Sequence, residues 1–457
     1  MKWFSMAAGT AVLVGGLAAC GGGGGGGGGG GFPLLAPAPA TPVALAVNVL
    51  VNGNTATADS NGRYAVKPGD TITVTPASGT VDWTSSSAPS GAISLRNPAI
   101  SNTKWSAQIS SSTTATSVFT VSAKPTDPNT LSKDTVFNVS GGDARNGSYK
   151  VFAANGTKQT LALNFDTMSY VMTDETGATS SDGIEVDKSE TGTYLFRSQR
   201  NEAGKAINTR FRINGDTVVG AFQFRVAKVP GSYATQPFVA PRALVTDQNE
   251  IDGIYNRLGV NLQATSRASN IRQALIGLHG TVFQLCNDAT KAIADCLPPA
   301  APINYTVSPG ATPGVWNIVN TADPTDTGAF SIARIGGQNV YLSAGTNPQA
   351  PNDDVFRIGL PETATWPVTT SSGGDTDGTW GSANYDATTY QAILARPDTT
   401  FRAFGAILGS ARTNINGMKK FTDTTPANFV AIQNGVLTVV VGETGGASTG
   451  YMQIGLH

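Results

Sequence analysis

From Val43 onward the chain is written in short β-rich runs broken by turn residues. Thr71-Ile72-Thr73-Val74-Thr75 alternates with a period of two, as do Ser117 to Ser122 and Thr160 to Phe165. That period places alternate side chains on opposite faces of a strand. Thr438-Val439-Val440-Val441 is instead a continuous apolar run, the pattern of a strand buried on both faces. Between such runs stand Asn52-Gly53, Asn61-Gly62, Asn155-Gly156, Asn214-Gly215 and Asn434-Gly435. Asn-Gly pairs adopt the positive φ angles that tight hairpins need. The best helical candidate is Ser269 to Leu278, and Gly277 and the β-type run after it weigh against it. The expected fold is all-β, with antiparallel sandwiches or barrels.

Charge narrows the class further. Only 13% of the 457 residues are Asp, Glu, Lys or Arg, and the net charge is −1. A balanced, charge-poor chain lacks the basic surface that neutralises phosphates, so no nucleic-acid partner is expected. It is neither a charged disordered chain nor a heptad coiled coil. Hydrophobic residues make up 40%, enough for substantial cores.

The N-terminus carries an address. Lys2 precedes an uncharged stretch, Met6 to Ala19, which is too short to span a bilayer and fits the apolar segment of a secretory leader. It ends in Leu17-Ala18-Ala19-Cys20, an apolar residue, two small ones and a cysteine. This resembles the lipobox of bacterial lipoproteins. The resemblance implies removal of residues 1–19 as a signal peptide, a diacylglyceryl group on the Cys20 thiol, and acylation of the new amino terminus. Two or three acyl chains make a durable anchor where one does not. Gly21, rather than Asp, follows the cysteine, which is similar to lipoproteins sorted to the outer membrane; whether the body would face periplasm or exterior is left open.

Eleven consecutive glycines, Gly21 to Gly31, come next, followed by Phe32 to Pro42 with four prolines. The glycine run is a flexible coil spanning about 18 Å, and the proline segment is stiffer and extended. Residues 20–42 are therefore expected to be a disordered tether.

A first folded unit is expected over 43–124, ending at the proline-rich segment Lys124 to Asn129. Lys67-Pro68-Gly69-Asp70 leads into the Thr71 strand, and Val81-Asp82-Trp83 follows. The pattern resembles bacterial immunoglobulin-like sandwiches and implies a core tryptophan at Trp83, with Trp105 as a second candidate. Residues 136–457 are expected to form a larger antiparallel β region, barrel- or sandwich-like, with candidate divisions near 250 or 370. Gly147-Ser148-Tyr149, Gly253-Ile254-Tyr255 and Gly378-Thr379-Trp380 echo one another, as do Gly220-Ala221-Phe222 and Gly328-Ala329-Phe330. No period is constant, so reuse of a small residue set by β-strands is the preferred reading over true repeats. The Gly-x-aromatic step resembles the first strand of lipocalin-like barrels, and no ligand site is transferred from it.

Of the three cysteines, Cys20 is assigned to lipidation. Cys286 and Cys296 lie close in sequence in an exported chain and are expected to form a disulfide. Their spacing and the want of a nearby His pair argue against zinc.

Catalytic motifs are thin. The chain has two histidines, His279 and His457, and His279 is expected to be structural. Gly446-Ala447-Ser448-Thr449-Gly450 matches a nucleophile elbow only on paper, since no acid and no suitable turn follow it. Ser101-Asn102-Thr103-Lys104 lacks its companion motifs. Asp182, Glu185, Asp187 and Glu190 form one carboxylate cluster, with Asp353/Asp354 and Asp375/Asp377 as others. Asp375 begins like a calcium loop but has Trp380 where Gly is needed, so a surface turn is the simpler reading. No metal, cofactor or catalytic residue is assigned. The expectation is a non-enzymatic binding or display role at the cell envelope, with a glycan or protein partner. A carboxylate-based glycan hydrolase and a β-barrel carrier of a hydrophobic ligand are the alternatives.

Overall fold

A computed structural model describes residues 42–457, apart from 112–115, 198–208, 226–232, 264–265, 299–300, 364, 387, 396–400, 412–414 and 424–427. Cys20 and the tether through Thr41 lie outside the described residues. No described helix is long and apolar enough to cross a membrane. The chain is all-β: its helical elements among the described residues are two single 3-10 turns, Gln248–Glu250 and Ile293–Asp295.

The first unit is a two-sheet sandwich. One sheet orders Asn54–Thr55, Val47–Val51, Thr71–Pro76, Lys104–Ser111 and Ile93–Ser101; the other orders Arg63–Val66, Lys133–Val139, Ser117–Pro125 and Val81–Ala88. The alternation read from the sequence is realised: Ile72 and Val74 point into the core with Phe119 and Val121. Of the two expected tryptophans, Trp105 is buried in the core and packs on Phe119 at 5.7 Å, while Trp83 is half-buried, packs against the core and donates its Nε1–H to the Ser101 carbonyl at 2.8 Å. One boundary is corrected. The sandwich runs past the proline-rich segment. Lys133–Val139 pairs antiparallel with Ser117–Pro125 and parallel with Arg63–Val66, so the unit ends after Val139.

Three closed eight-stranded barrels follow, over 147–241, 253–361 and 369–456. In each, every strand pairs antiparallel with its chain neighbour and the eighth returns to the first. The seam of the first barrel is short, pairing Phe152 with Val239 and Ala153 with Phe238. That of the second runs from Tyr255–Pro361 to Leu262–Asp354. That of the third joins Ser372–Leu456 through Asp375–Gln453. Closure removes the unpaired edges that an open sheet exposes.

The barrels share one up-and-down architecture, yet most of the sequence echoes fall on non-equivalent strands, as reuse of a small residue set by β-strands implies. One echo does mark equivalent places. Gly147 and Gly253 each open the first strand of their barrel, and Tyr149 and Tyr255 point inward from it. Gly378-Thr379-Trp380 instead opens the second strand of the third barrel. The two Gly-Ala-Phe segments occupy the seventh strand of the first barrel and the sixth of the second. Ser269 to Leu278, the helical candidate, lies on the second strand of the second barrel, Arg267–Gly277, and its turn.

Aromatic side chains pack inside each barrel. In the first barrel Phe196 contacts Phe211 at 4.5 Å and Tyr170 at 4.9 Å. In the second, Phe330 stacks on Tyr341 at 5.1 Å. In the third, Tyr390 contacts Tyr385 and Phe421, both at 4.9 Å. The largest hydrophobic cluster lies outside all three. Val219 and Val239 of the first barrel, Leu258, Val260 and Ile358 of the second, and Val430, Val439, Val441 and Ile454 of the third share one buried layer. Strands in this layer are buried on both faces, which accounts for the continuous apolar run at Val439 to Val441.

Candidate binding cleft

The chemistry-bearing residues singled out in the sequence are dispersed, and most have a structural occupation. The Glu185 carboxylate pairs with Arg197. Asp187 takes Arg210 Nε at 2.8 Å and the Ser189 amide at 2.8 Å. Burial raises the Asp187 pKa, but these hydrogen bonds outweigh it and hold the group below its usual value. Glu190 joins the first barrel to the third: its carboxylate accepts from Trp380 Nε1 and Ser382 Oγ, each at 2.8 Å. Burial opposes ionisation there too, and the hydrogen bonds from Ser372, Trp380 and Ser382 win. Asp354 accepts from Thr346 Oγ1 at 3.1 Å.

Asp375 is not a surface residue, as had been expected. It is fully buried in the turn between the first two strands of the third barrel, where its carboxylate accepts from the Asp377 and Thr379 amides at 3.0 and 2.9 Å and from the Tyr451 hydroxyl at 3.2 Å. Burial pushes its pKa up in spite of these donors. Asp377 faces Arg267 at 3.7 Å. Among the described residues no group of three or more His, Cys, Asp or Glu is placed to hold a metal ion.

His279 is exposed in the turn after Arg267–Gly277, at φ +56°, and its backbone amide donates to Asp252. The expected satisfied histidine is His457 instead. Its two ring nitrogens meet Thr369 and Thr438 hydroxyls, and burial pushes its pKa down to about 4. Ser448 lies in the turn before Met452–Leu456 and donates to the Asn428 carbonyl. Lys104 of the S-x-x-K match pairs with Glu250 at 2.8 Å, tying the sandwich to the second barrel. Cys286 and Cys296 form a buried disulfide with Cα atoms 5.8 Å apart.

What the fold does assemble is a cleft of about 240 Å³ between the outer walls of the first and second barrels. Phe152, Leu244, Val315 and Leu342 give it an apolar base, and Lys150, Lys158, Asp174 and Glu175 stand around it. Lys150 and Phe152 reach it because they alternate with the inward Tyr149 and Val151 on Gly147–Ala153. An apolar base with a charged rim of both signs suits a ligand or segment that is itself amphipathic. The sequence reading missed these residues. Their one signal is Phe152, an aromatic at an outward position of an alternating strand.

Fold and cleft together define a class: a β-sandwich followed by three up-and-down barrels packed on one another. No known protein family matches the chain, and no curated protein matches it. Among solved structures, a DUF4784 family protein from Bacteroides caccae is 10% identical, with 84% of this chain and 92% of that one covered, at a TM-score of 0.15. A quinonprotein alcohol dehydrogenase-like protein from Bacteroides thetaiotaomicron is 8% identical, with 86% and 95% covered, at a TM-score of 0.11. Likenesses at this level carry no argument about this chain.

Proposed function

We propose that the protein is a lipid-anchored protein of the cell envelope, held in the outer membrane through Cys20, whose β body has a non-enzymatic binding or display role. The observation that carries this reading is how the body uses its polar groups. The carboxylates that could serve hydrolysis, Asp187, Glu190 and Asp375, are each consumed in separate turns and interfaces. The barrel walls are braced against one another through a common apolar layer. A charge-poor body carried on a glycine- and proline-rich segment suits presentation of a surface, and the cleft between the first two barrels is the part of that surface with a shape for a partner.

Two measurements test the reading. Cys20→Ser is expected to move the protein from the membrane fraction to the soluble one; unchanged membrane retention defeats the anchor. Envelope pull-down and glycan-array binding by the full chain are expected to yield a partner whose capture falls when Lys150 and Lys158 are both changed to Glu. Capture indifferent to that double change removes the cleft from the proposal.

A further inference from the structure

The interior of the second barrel is not uniform. One part is the aromatic packing of Tyr255, Phe283, Phe330 and Trp316. The other contains arginines. Tyr255 faces inward on Gly253–Leu262, so Arg257 and Gly259 face inward too. Arg257 stands directly opposite Arg272 on one neighbouring strand and opposite Gly359 on the other; Gly259 stands opposite Arg357. Directly opposed residues share a face. Three adjacent strands thus send arginines into one barrel.

Two of them are deeply buried, Arg357 at 7% exposure and Arg257 at 9%. Arg357 is held rigidly: Nη1 donates to the Val260 and Phe356 carbonyls at 2.5 and 2.8 Å, and Nη2 to Asn261 Oδ1. Gly259 makes room for it, since a Cβ there would stand 2.6 Å from Arg357 Cδ. Arg257 is poorly satisfied. Its Nη2 reaches Asn270 Oδ1 only at 3.4 Å, and its Nε is buried without an acceptor. Neither guanidinium forms an ion pair with a carboxylate among the described residues. Tyr305, within the electrostatic reach of Arg257, donates to Asp326 at 2.9 Å, as does Asn320 Nδ2, and Asp288 lies within reach of Arg272. Buried cations of like sign without a counter-charge oppose folding unless an anion joins them. A guanidinium fork with free donors is the group best shaped to take one.

We propose that the arginine-lined part of the second barrel is a binding site for one oxyanion, a phosphate, sulfate or carboxylate group, gripped by Arg257 and Arg357 with Arg272 adding charge across the strand. Arg357 is preorganised by its carbonyl partners, and Arg257 supplies the unsatisfied donors. This site is independent of the lipid anchor and of the cleft between barrels.

The test is isothermal titration of the full chain at constant ionic strength, with inorganic phosphate and sulfate in one arm and octanoate in the other. Saturable one-to-one binding in either arm is expected. The first arm identifies a free inorganic anion, and the second identifies the head of an amphiphile. Arg257→Met should weaken binding about tenfold, the loss of a charge-assisted hydrogen-bonded contact. Arg257→Lys, which keeps the charge and loses the fork, should also weaken it and serves if the methionine variant fails to fold. No saturable binding in either arm overturns the proposal, as does undiminished binding by a folded Arg257 variant.

Discussion

The Arg242 guanidinium lies 4.6 Å over the ring of Tyr149 and also donates to its hydroxyl. Only 2% of Arg242 is exposed, and its two Nη atoms donate to the Asn146 and Ala144 carbonyls at 2.6 and 3.1 Å. It follows the last strand of the first barrel and grips the chain entering the first strand, so it locks the barrel's start to its end. Gly69 of the sandwich lies against the same guanidinium: a Cβ there would be 2.5 Å from Nη2. Arg242→Met should therefore destabilise the protein by about 2–4 kcal/mol, because it leaves buried carbonyls without donors. Arg242→Lys should recover little, since a single ammonium cannot reproduce the fork. Urea unfolding midpoints check both, and a midpoint unchanged in the methionine variant removes Arg242 from this role.

The same Tyr149 has a counterpart. Its hydroxyl donates to the carbonyl of Arg145, four residues back, at 2.7 Å; that of Tyr255 donates to Ile251, also four back, at 2.8 Å. Only Tyr149 additionally accepts from a guanidinium. Tyr149→Phe is therefore expected to cost about 2–3 kcal/mol and Tyr255→Phe about 1, following the greater strength of charge-assisted hydrogen bonds. Equal losses in the two variants would show that the Arg242 contact contributes nothing to stability.

This pair also shows how far the sequence could be read. The all-β class, the strand alternation and the Cys286–Cys296 pairing were legible because each depends on local spacing. The Gly-x-Tyr step was visible too, but its meaning was not. It marks barrel entry at 147 and 253, and the third barrel enters through Thr369-Thr370-Ser371 without it. Where barrels begin is fixed by closure between strands about ninety residues apart, and no short motif encodes that. Asp375 was misplaced for a similar reason: its turn was legible, while its burial comes from Tyr451 and Thr379 folding over it. The arginines of the second barrel carry no signature in the sequence. Arg257, Arg272 and Arg357 are far apart in sequence and become neighbours only through register.

The layer shared by the barrels predicts a sharp contrast between two outward-facing residues. Leu258 is buried among the three barrels, whereas Ile393 is 62% exposed on the outer wall of the third. Leu258→Ala should cost about 2–5 kcal/mol, the transfer and cavity penalty of a core leucine. Ile393→Ala should stay within about 0.5 kcal/mol. Limited proteolysis gives a second readout: the leucine variant should be cut faster in the linkers near 242–252 and 362–368. Resistance equal to that of the unaltered protein would mean that the barrels hold together without this layer.

The Cys286–Cys296 bridge closes a short loop above the second barrel, where the Ile293 amide donates to Gln273 Oε1 at 2.6 Å. Closing about ten residues should stabilise by roughly 2–3 kcal/mol through the unfolded chain. Replacing both cysteines with serine should lower the melting temperature accordingly. Treating the unaltered protein with a strong reductant should reproduce the shift. Adding the reductant to the double variant should do nothing, and a further shift there would mean that reduction acts elsewhere.

His457 predicts a pH dependence with a definite sign. Burial pushes its folded pKa down to about 4, against 6.5 when free, with the positive charge of Arg212 as a lesser contribution. Thr369, Thr438 and the ring of Tyr385 complete its surroundings. Between these two values the unfolded chain binds the proton and the folded one does not. The stability tied to a neutral His457 is thus fully present above pH 6.5 and is lost as pH falls toward 4. Carboxylates held below their usual pKa, such as Glu190, lose their contribution lower down, and buried Asp216 and Asp375, with raised values, act in the opposite sense. Comparison with His457→Gln isolates the histidine. Thermal melts from pH 7 to 4.5 should show a smaller fall for the glutamine variant. Parallel falls in the two proteins would mean that His457 does not titrate in this window.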